Sequence, residues 1–206
     1  MGEDRVIVGR VETRDLPKVE AVARATWPAA YAGIIPDESQ RGLLDSWYSP
    51  ESLRRALALE GSSVFVAESA GGVIGFAQYV RRSAASVELT RIYVLPERQR
   101  DGIGIRLLNA GLAELAKAGR EHLTVAVKSG NANGRRFYEK AGFGEPREFT
   151  HQVPGYVLAL VEYRRPILRT LLTGLGMGES LRWHEDRLWF SDWGTGDRRR
   201  RSRRQP

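Results

Sequence analysis

A short glycine loop between a strand pattern and a helix pattern is the part of this sequence whose residue types suggest chemistry most directly. The loop spans residues 99–104 and reads QRDGIG. It follows a β-branched and aromatic run, 89–95, and it opens an amphipathic helical pattern. Backbone N–H groups at the start of a helix point outward at the positive end of the helix dipole, so they suit a phosphate anion. Glycine lets a ligand approach the backbone and tolerates a positive φ. The loop therefore predicts a cofactor that carries phosphate.

Two common glycine signatures do not fit this loop. A Walker A motif needs Lys and then Ser or Thr after its second glycine, and Ile105 and Arg106 stand there. The dinucleotide fingerprint needs a third glycine, and its position holds Leu107. What is left is a Q-x-x-G-x-G loop, preceded from Glu88 by the strand pattern E-L-x-x-I-Y-V-x-P. This combination resembles the acetyl-coenzyme A pyrophosphate loop of the GCN5-related N-acetyltransferase (GNAT) family.

A second segment strengthens the resemblance. Residues 131–143 read NANGRRFYEKAGF, which is similar to the family pattern N-x-x-A-x-x-F-Y-E-K-x-G-F. Gly134 stands where the family most often has Ala, a change that weakens a helix by ~1 kcal/mol. The two segments occur in the family's order and spacing, with a predicted helix at 104–118 and a strand at 122–128 between them. The resemblance covers residues 5–163.

The elements that must position these segments give an α/β fold class. Period-two patterns predict strands at 6–11, 63–68, 73–80, 86–94, 122–127, 146–153 and 156–163. Capping and 3.6-residue patterns predict helices from Asp15 to Pro28, after Asp37, at 52–59 and at 104–118. The expected fold is a single GNAT-type domain with a mixed, mostly antiparallel sheet flanked by helices, in the order βααβββαβαββ.

Two residues are candidates for the proton transfers that the resemblance implies. Tyr138 matches the tyrosine that protonates the leaving thiolate in many relatives, and its phenol, with a usual pKa of ~10, is close to a thiol's ~8.5. The alternative is a tyrosine that only packs on the coenzyme. Glu88 matches the glutamate base of the histone-acetylating branch, and the alternative is a solvent-facing charge at a strand end. The chain has no cysteine to carry an acyl group, so direct transfer in a ternary complex is expected.

The resemblance also implies contacts to the coenzyme. The strand backbone holds the pantetheine arm, the glycine loop holds the diphosphate, and the asparagine bonds the arm or a water. The predicted acetyl-CoA-binding residues are Ile92, Tyr93, Val94, Gln99, Arg100, Asp101, Gly102, Ile103, Gly104, Asn131 and Arg136. Asp101 is expected to face away from the diphosphate as a helix cap.

The acceptor pocket is expected between the first two strands, where the family usually builds it. Trp27, Tyr31, Asp37 and Glu38 are its candidate residues, because an acidic pair attracts an amine cation. The alternative is that Trp27 and Tyr31 are core residues and that the acidic pair caps the second helix.

Composition limits the other functions. Six arginines in 198–204 account for all but +1 of the formal net charge of +7, so the body of the chain is nearly neutral and a nucleic-acid partner is not expected. No apolar run reaches the ~20 residues of a membrane span. His122, His151 and His184 lack metal-ligand spacing, and the absence of cysteine excludes thiolate metal sites. We expect no metal, no membrane and a cytoplasmic setting.

The C-terminal part follows a different pattern. We expect an N-acetyltransferase domain at 1–165 and an extension at 166–206. Within the extension, 171–194 resembles the start of the gluconolactonase/senescence-marker β-propeller family, in which the glutamate matched by Glu179 is a metal ligand, and 195–206 is an Arg-rich tail. A propeller cannot close with one or two strands, so lactonase activity is not expected. The alternatives are a remnant and a segment that docks through its aromatic residues.

The predicted function is transfer of an acetyl group from acetyl-CoA to a primary amine, with a small amine favoured. Two alternatives stay open at this point. One is acetylation of a protein N-terminus or lysine, and the other is a non-catalytic coenzyme-binding or interaction protein. The expected partners are a small-molecule amine and, as an open option, a second copy of the chain.

Overall fold

The computed structural model describes residues 5–153, 156–167, 178–184 and 187–192. The chain divides into two compact units, Met1–Leu168 and Arg169–Pro206. All the predicted site residues belong to the first unit.

The first unit is built on a seven-stranded sheet. Its strands are β1 (Ile7–Arg10), β2 (Ser62–Ser69), β3 (Gly72–Arg81), β4 (Ser86–Val94), β5 (His122–Lys128), β6 (Gly144–Val153) and β7 (Tyr156–Pro166). Their order across the sheet is β1-β2-β3-β4-β5-β7-β6. β4 and β5 are parallel, and every other neighbouring pair is antiparallel. The predicted α/β fold class with a mixed, mostly antiparallel sheet is confirmed.

Five helices accompany the sheet within the described part of this unit. They are α1 (Leu16–Tyr31), α2 (Asp37–Tyr48), α3 (Pro50–Ala58), α4 (Ile103–Lys117) and α5 (Ala132–Lys140). Three of them separate β1 from β2, as the helix patterns predict, although the predicted order βααβββαβαββ counts only two. Ser49 Oγ accepts a hydrogen bond from Ser52 N, and Pro50 begins α3, so this short segment ends one helix and caps the next.

The end of α1 also differs from the prediction. Proline disfavours a helical conformation of the residue before it, and the sequence therefore predicts that α1 ends near Pro28. The helix instead includes Pro28 and continues to Tyr31. Its inner face buries Val19, Val22 and Trp27, and this packing outweighs the one backbone hydrogen bond that proline removes. The extension brings the hydroxyl oxygen of Tyr31 to 3.0 Å from that of Tyr93 on β4.

A hydrophobic core lies on each face of the sheet. One core packs α4 and α5 against the strands, and the other packs α1, α2 and α3 against them. On α4 the buried apolar side chains are Ile103, Leu107, Leu108 and Leu115, whereas Ile105 is 38% exposed. Ile105 lies off the buried stripe of the helix, which follows 103, 107, 108, 111 and 115.

Gly111 lets α4 approach the sheet closely. A Cβ at this position would lie 2.1 Å from Cζ of Tyr79, a fully buried residue of β3. The Tyr79 hydroxyl donates to the carbonyl oxygens of Leu107 and Leu108, at 3.2 and 3.3 Å. Tyr79 therefore fixes the height of α4 above the sheet.

The second unit contains one hairpin in its described part. β8 (Gly178–His184) and β9 (Arg187–Asp192) pair antiparallel. Residues 168–177, 185–186 and 193–206, which include the Arg-rich tail, lie outside the described residues. A hairpin of this kind occurs in many folds, so the propeller resemblance of 171–194 stays a prediction.

Candidate active site

The parallel strands β4 and β5 separate part-way along their length. They pair at Ser86↔His122, Val87↔Leu123 and Glu88↔Thr124 and nowhere further. Yet β4 continues to Val94 and β5 to Lys128, each still paired with its other neighbour. The backbone groups of β4 that face β5 beyond Glu88 therefore have no strand partner. We call this gap the opening; its unpaired edge can bind an extended polar chain, because backbone N–H and C=O groups require hydrogen bonds.

A bulge in β4 sets which side chains border the opening. The register with β3 shifts at Thr90, and Thr90 Oγ1 donates to the carbonyl oxygen of Gln78 at 3.3 Å. Before the bulge, Leu89 packs in the core of α4 and α5. After it, Ile92 packs against that same core, and Tyr93 packs against the core of α1–α3. The predicted pantetheine-binding segment 92–94 thus lies entirely on the unpaired stretch of β4.

The glycine loop presents unpaired backbone N–H groups at the head of α4. Arg100 and Gly102 have positive φ angles of 73° and 74°. Gly102 is the N-cap of α4, and no side chain caps the helix. None of the described residues accepts a hydrogen bond from the backbone N–H groups of 100–105. Successive N–H groups of this kind form a concave anion site, and the helix dipole adds to it.

Gly104 has a packing role that the sequence did not reveal. A Cβ there would lie 3.3 Å from the ring of Phe137 in α5. The glycine therefore allows α4 and α5 to approach each other beside the loop. Gly75 in β3 has a similar role, because its Cβ would lie 2.8 Å from the carbonyl oxygen of Tyr93.

The charged residues of the loop are partly fixed by the protein itself. Asp101 Oδ2 accepts from Nε of Arg98 at 3.1 Å, so the carboxylate is neutralised beside the loop. It does not cap α4, and the expectation of a cap is wrong. Gln99 Nε2 donates to the carbonyl oxygen of Val94 at 3.2 Å and so ties the loop to β4. Arg100 and Arg136 are exposed on the loop and on α5.

The residues of α5 that match the family pattern lie beyond the end of β5. Asn131 is the N-cap of the helix, and its Oδ1 accepts from Gly134 N at 2.9 Å. A Cβ at Gly134 would lie 2.8 Å from Asn131 Nδ2, so glycine at 134 suits this cap. The structure therefore gives the Asn131 side chain a structural partner in addition to the predicted coenzyme contact.

Tyr138 lies in α5 with its ring in the core. It is 7% exposed, and its ring centroid is 5.2 Å from that of Phe137 and 5.5 Å from that of Phe143. Burial raises the pKa of Tyr138 far above its usual value. The phenol is therefore protonated at neutral pH, as a proton donor must be. However, the raised pKa of Tyr138 is no longer close to that of a thiol, as the sequence suggests it would be.

Glu88 stands where the opening begins. Its side chain is 26% exposed, and Oε2 accepts from Nε of Arg82 at 2.6 Å. The carboxylate is thus held by a guanidinium in this conformation.

The predicted acceptor residues separate into two groups. Trp27 and Tyr31 belong to an aromatic cluster, while Asp37 and Glu38 are exposed in the first turn of α2, where carboxylates stabilise the helix dipole. Gln40 Nε2 donates to Asp37 Oδ1 at 3.5 Å. The acidic pair thus lies at the start of α2, where the alternative interpretation of these residues as a helix cap places it.

The aromatic cluster joins α1, α2 and β4. The members are Trp27, Tyr31, Trp47, Tyr48 and Tyr93, with neighbouring ring centroids 4.8 to 6.2 Å apart.

Two hydroxyl groups meet within the cluster, and one of them belongs to Tyr93 on the unpaired stretch of β4. The Tyr31 and Tyr93 hydroxyl oxygens are 3.0 Å apart, and burial raises the pKa of Tyr31 to about 12. The guanidinium of Arg91 lies 4.6 Å from the ring centroid of Tyr48. Sequence reasoning missed Trp47, Tyr48 and Arg91, and only the helix period of α2 and the two-residue period of β4 could have signalled them.

Lys128 was also missed. It is the last residue of β5 and is 9% exposed, and burial lowers its pKa to about 8. A lysine that ends a β-branched strand three residues before Asn131 is the signal that could have identified it.

Two further features of the described residues concern other functions. No helix among them is both long and apolar enough to cross a bilayer. No cluster of three or more His, Cys, Asp or Glu side chains among them has the arrangement of a metal site.

Known proteins with this sequence pattern and fold define the class. The family model described as an acetyltransferase (GNAT) domain matches residues 60–145. A probable N-acetyltransferase of Mycobacterium tuberculosis is 33% identical over 144 residues, which cover 66% of this chain and 79% of that protein. The chain belongs to the GNAT family of N-acetyltransferases. It is accordingly an acetyl-CoA-dependent acyltransferase, and the non-catalytic alternative is set aside.

Two further relatives come from Thermoplasma acidophilum. A spermidine N(1)-acetyltransferase is 29% identical over 140 residues, covering 66% of this chain and 86% of the relative. The crystal structure of the PaiA N-acetyltransferase in complex with coenzyme A superposes with a TM-score of 0.66 at 25% identity, covering 77% of this chain and 98% of that one. Coenzyme A binding therefore accompanies this fold.

Proposed function

We propose that this enzyme transfers the acetyl group of acetyl-CoA directly to a small primary amine in a ternary complex. The observation that carries the proposal is the opening between β4 and β5 together with the unpaired N–H groups at the head of α4. Together they offer one continuous main-chain surface, first for an extended amide-containing arm and then for a diphosphate.

The residues that would hold the coenzyme are mostly backbone groups. The peptide groups of 92–94 pair with the pantetheine arm, and the N–H groups of 100–105 bind the diphosphate. Arg100 and Arg136 are exposed near that end and add positive charge. Gln99 ties the loop to β4, so it affects coenzyme binding by positioning the loop.

Tyr138 supplies the proton for the leaving sulfur. When the amine nitrogen attacks the thioester carbon, the C–S bond breaks and the thiolate takes the phenolic proton. Burial keeps the phenol protonated, and the same low-dielectric surroundings raise the pKa of a thiol, so donation becomes easier with the coenzyme in place.

Glu88 is the candidate base on the other side of the reaction. Its position at the start of the opening suits removal of the ammonium proton, directly or through a water. The ion pair with Arg82 must loosen for this, since the guanidinium occupies Oε2.

A small amine fits the aromatic cluster better than it fits the acidic pair. Aromatic faces attract organic cations by ~0.5–2 kcal/mol. Tyr93 belongs both to this cluster and to the unpaired stretch of β4, so an amine held there would lie beside the proposed acyl arm. The relative named as a spermidine acetyltransferase supports a small amine as the acceptor class.

The extension at 166–206 has no place in this chemistry, since every residue above lies before 166. We infer that it is a propeller-like remnant with no catalytic part. Deletion of residues 169–206 should leave kcat for the best acceptor unchanged; a loss of more than tenfold would contradict this.

The test is a thiol-release assay with acetyl-CoA and a panel of polyamines, amino acids, aminoglycosides and peptides. We expect turnover with at least one small amine and a far lower kcat/KM with peptides. A preference for peptides would instead favour a protein acetyltransferase. Thiol release by the protein with acetyl-CoA and no added amine is measured as a control and subtracted.

A further inference from the structure

Lys128 is a buried lysine that the proposed reaction does not use. It ends β5, and its neighbour Val127 packs in the core of α4 and α5. Successive side chains of a strand point to opposite faces, so Lys128 lies on the face turned away from α4 and α5. This is the face of the sheet that carries Tyr93 and the aromatic cluster.

The strand register places Lys128 at the opening. The last pair of β4 and β5 is Glu88↔Thr124. Four residues further along each strand are Ile92 and Lys128. Because both strands run in the same direction, these two residues border the opening at about the same level. Ile92 begins the segment proposed to hold the acyl arm.

The loop between α1 and α2 covers this end of β5. A Cβ on Gly130, two residues after Lys128, would lie 3.4 Å from Cγ1 of Ile34. This loop, which is expected to shape the acceptor pocket, therefore packs beside the segment that follows Lys128. Lys128 itself is 9% exposed.

Burial also changes the reactivity of this amine. Burial lowers the pKa of Lys128 to about 8. The amine is therefore neutral in roughly a tenth of the molecules at pH 7, whereas an ordinary lysine is neutral in well under a hundredth of them. Only the neutral amine is a nucleophile.

We propose that Lys128 is a self-acetylation site, at which the enzyme transfers the acetyl group of bound acetyl-CoA to its own side chain. The Nζ lone pair attacks the thioester carbon, a C–N bond forms and the C–S bond breaks. The ammonium proton is lost to solvent, and the leaving thiolate takes a proton to give free coenzyme A. The product is an uncharged amide with no further nucleophilic capacity, so the step occurs once per chain.

This inference rests on the proposed position of acetyl-CoA in the opening. The full chain contains only four lysines, Lys18, Lys117, Lys128 and Lys140, which makes the site simple to identify. Lys117 and Lys140 are exposed on helices α4 and α5 and report on non-enzymatic acetylation.

The experiment incubates the full-length protein with isotopically labelled acetyl-CoA and no acceptor, followed by peptide mapping by mass spectrometry. We expect acetylation at Lys128 at least tenfold above that at Lys117 and Lys140, approaching one group per chain. Heat-unfolded protein should lose this preference. Lys128→Met should remove the label, and the matched variant Lys117→Arg should leave it unchanged.

Equal labelling of the four lysines, or label everywhere except Lys128, would overturn the proposal. The amine panel, run on the same preparation, separates the two ideas. An enzyme that turns over amines but never labels Lys128 refutes self-acetylation alone. A protein that labels Lys128 but acetylates no amine refutes the proposed acceptor reaction alone.

Discussion

The proposed coenzyme side and the proposed acceptor side of the opening are built from different kinds of groups. On the coenzyme side, the groups proposed to bind the ligand are backbone N–H and C=O groups of two short segments, 92–94 and 100–105. On the acceptor side, aromatic side chains from α1, α2 and β4 meet. A main-chain site needs a fixed local geometry, whereas a side-chain site needs only that distant elements pack together.

This difference determines how each side responds to mutation. Most side-chain replacements leave backbone donors in place, so the coenzyme side is sensitive mainly at positions that set the height and spacing of α4. The acceptor side is sensitive at the side chains themselves. The predictions below separate these two kinds of dependence.

The largest effect is expected at Gly111, which fixes the coenzyme side through packing. Gly111→Ala forces a Cβ to within 2.1 Å of Tyr79 Cζ. We expect a loss of about 3 kcal/mol in the free energy of unfolding, because overpacking outweighs the ~1 kcal/mol that alanine normally adds to a helix. Urea denaturation measures it. Gly42→Ala in α2, where a Cβ meets nothing within 4 Å, is the matched control and should be neutral or stabilising. Equal stabilities of the two variants would contradict the packing role of Tyr79.

Tyr138 tests the chemistry between the two sides. Tyr138→Phe keeps the ring contacts with Phe137 and Phe143 and removes only the proton donor. We expect kcat to fall on the order of 10²-fold, the usual contribution of a general acid, with little change in coenzyme affinity. Steady-state kinetics and calorimetry measure the two quantities. If kcat is unchanged, Tyr138 is a packing residue.

Tyr93 tests the link from the aromatic cluster to the opening. Tyr93→Phe removes the hydroxyl contact with Tyr31 but keeps the ring. We expect the KM for the amine to rise about five- to tenfold, equivalent to roughly 1 kcal/mol, the net value of one hydrogen bond. The KM for acetyl-CoA should hardly change, because its contacts are main-chain. The control variant is Trp47→Phe, which changes a ring of the cluster but removes no hydroxyl group. A rise confined to the KM for acetyl-CoA would refute this division of labour.

The smallest effect concerns Lys128 and pH. The lysine binds its proton more weakly in the folded protein, where its pKa is about 8, than in the unfolded chain, where it is 10.5. Between these values the unfolded state holds more protons, so the contribution of Lys128 to stability rises with pH. We expect wild type to gain at most about 1 kcal/mol over Lys128→Met between pH 8 and pH 9, measured by urea denaturation. Parallel pH profiles of the two proteins would show that Lys128 is not buried as described.

The same division explains what the sequence revealed. The loop 99–104 and the helix start at Asn131 are local, so their glycines and capping residues mark them in the sequence, and the fold class follows from the strand and helix patterns between them. The aromatic cluster is not local. The Arg91 guanidinium donates to the carbonyl oxygen of Trp47 at 3.1 Å. These residues are 44 positions apart, and no pattern within α2 or β4 records this contact.

Errors in the sequence interpretation have related causes. Pro28 was expected to end α1, but burial of one helix face outweighs the proline, and local propensity is a weak guide where tertiary packing is strong. Asp101 was expected to cap α4, but an arginine three residues earlier in the chain takes its carboxylate. Both outcomes depend on partners that a local pattern does not specify.

The most direct test of the account is a calorimetric comparison of acetyl-CoA with acetyl-pantetheine, which lacks the diphosphate and the nucleotide. If the N–H groups at the head of α4 bind the diphosphate, acetyl-CoA should bind at one site per chain and at least tenfold more tightly than acetyl-pantetheine. The double variant Arg100→Ala, Arg136→Ala should keep much of that preference, because the main chain supplies it. No heat with acetyl-CoA and well-folded protein, or equal affinity for the two ligands, would contradict the account.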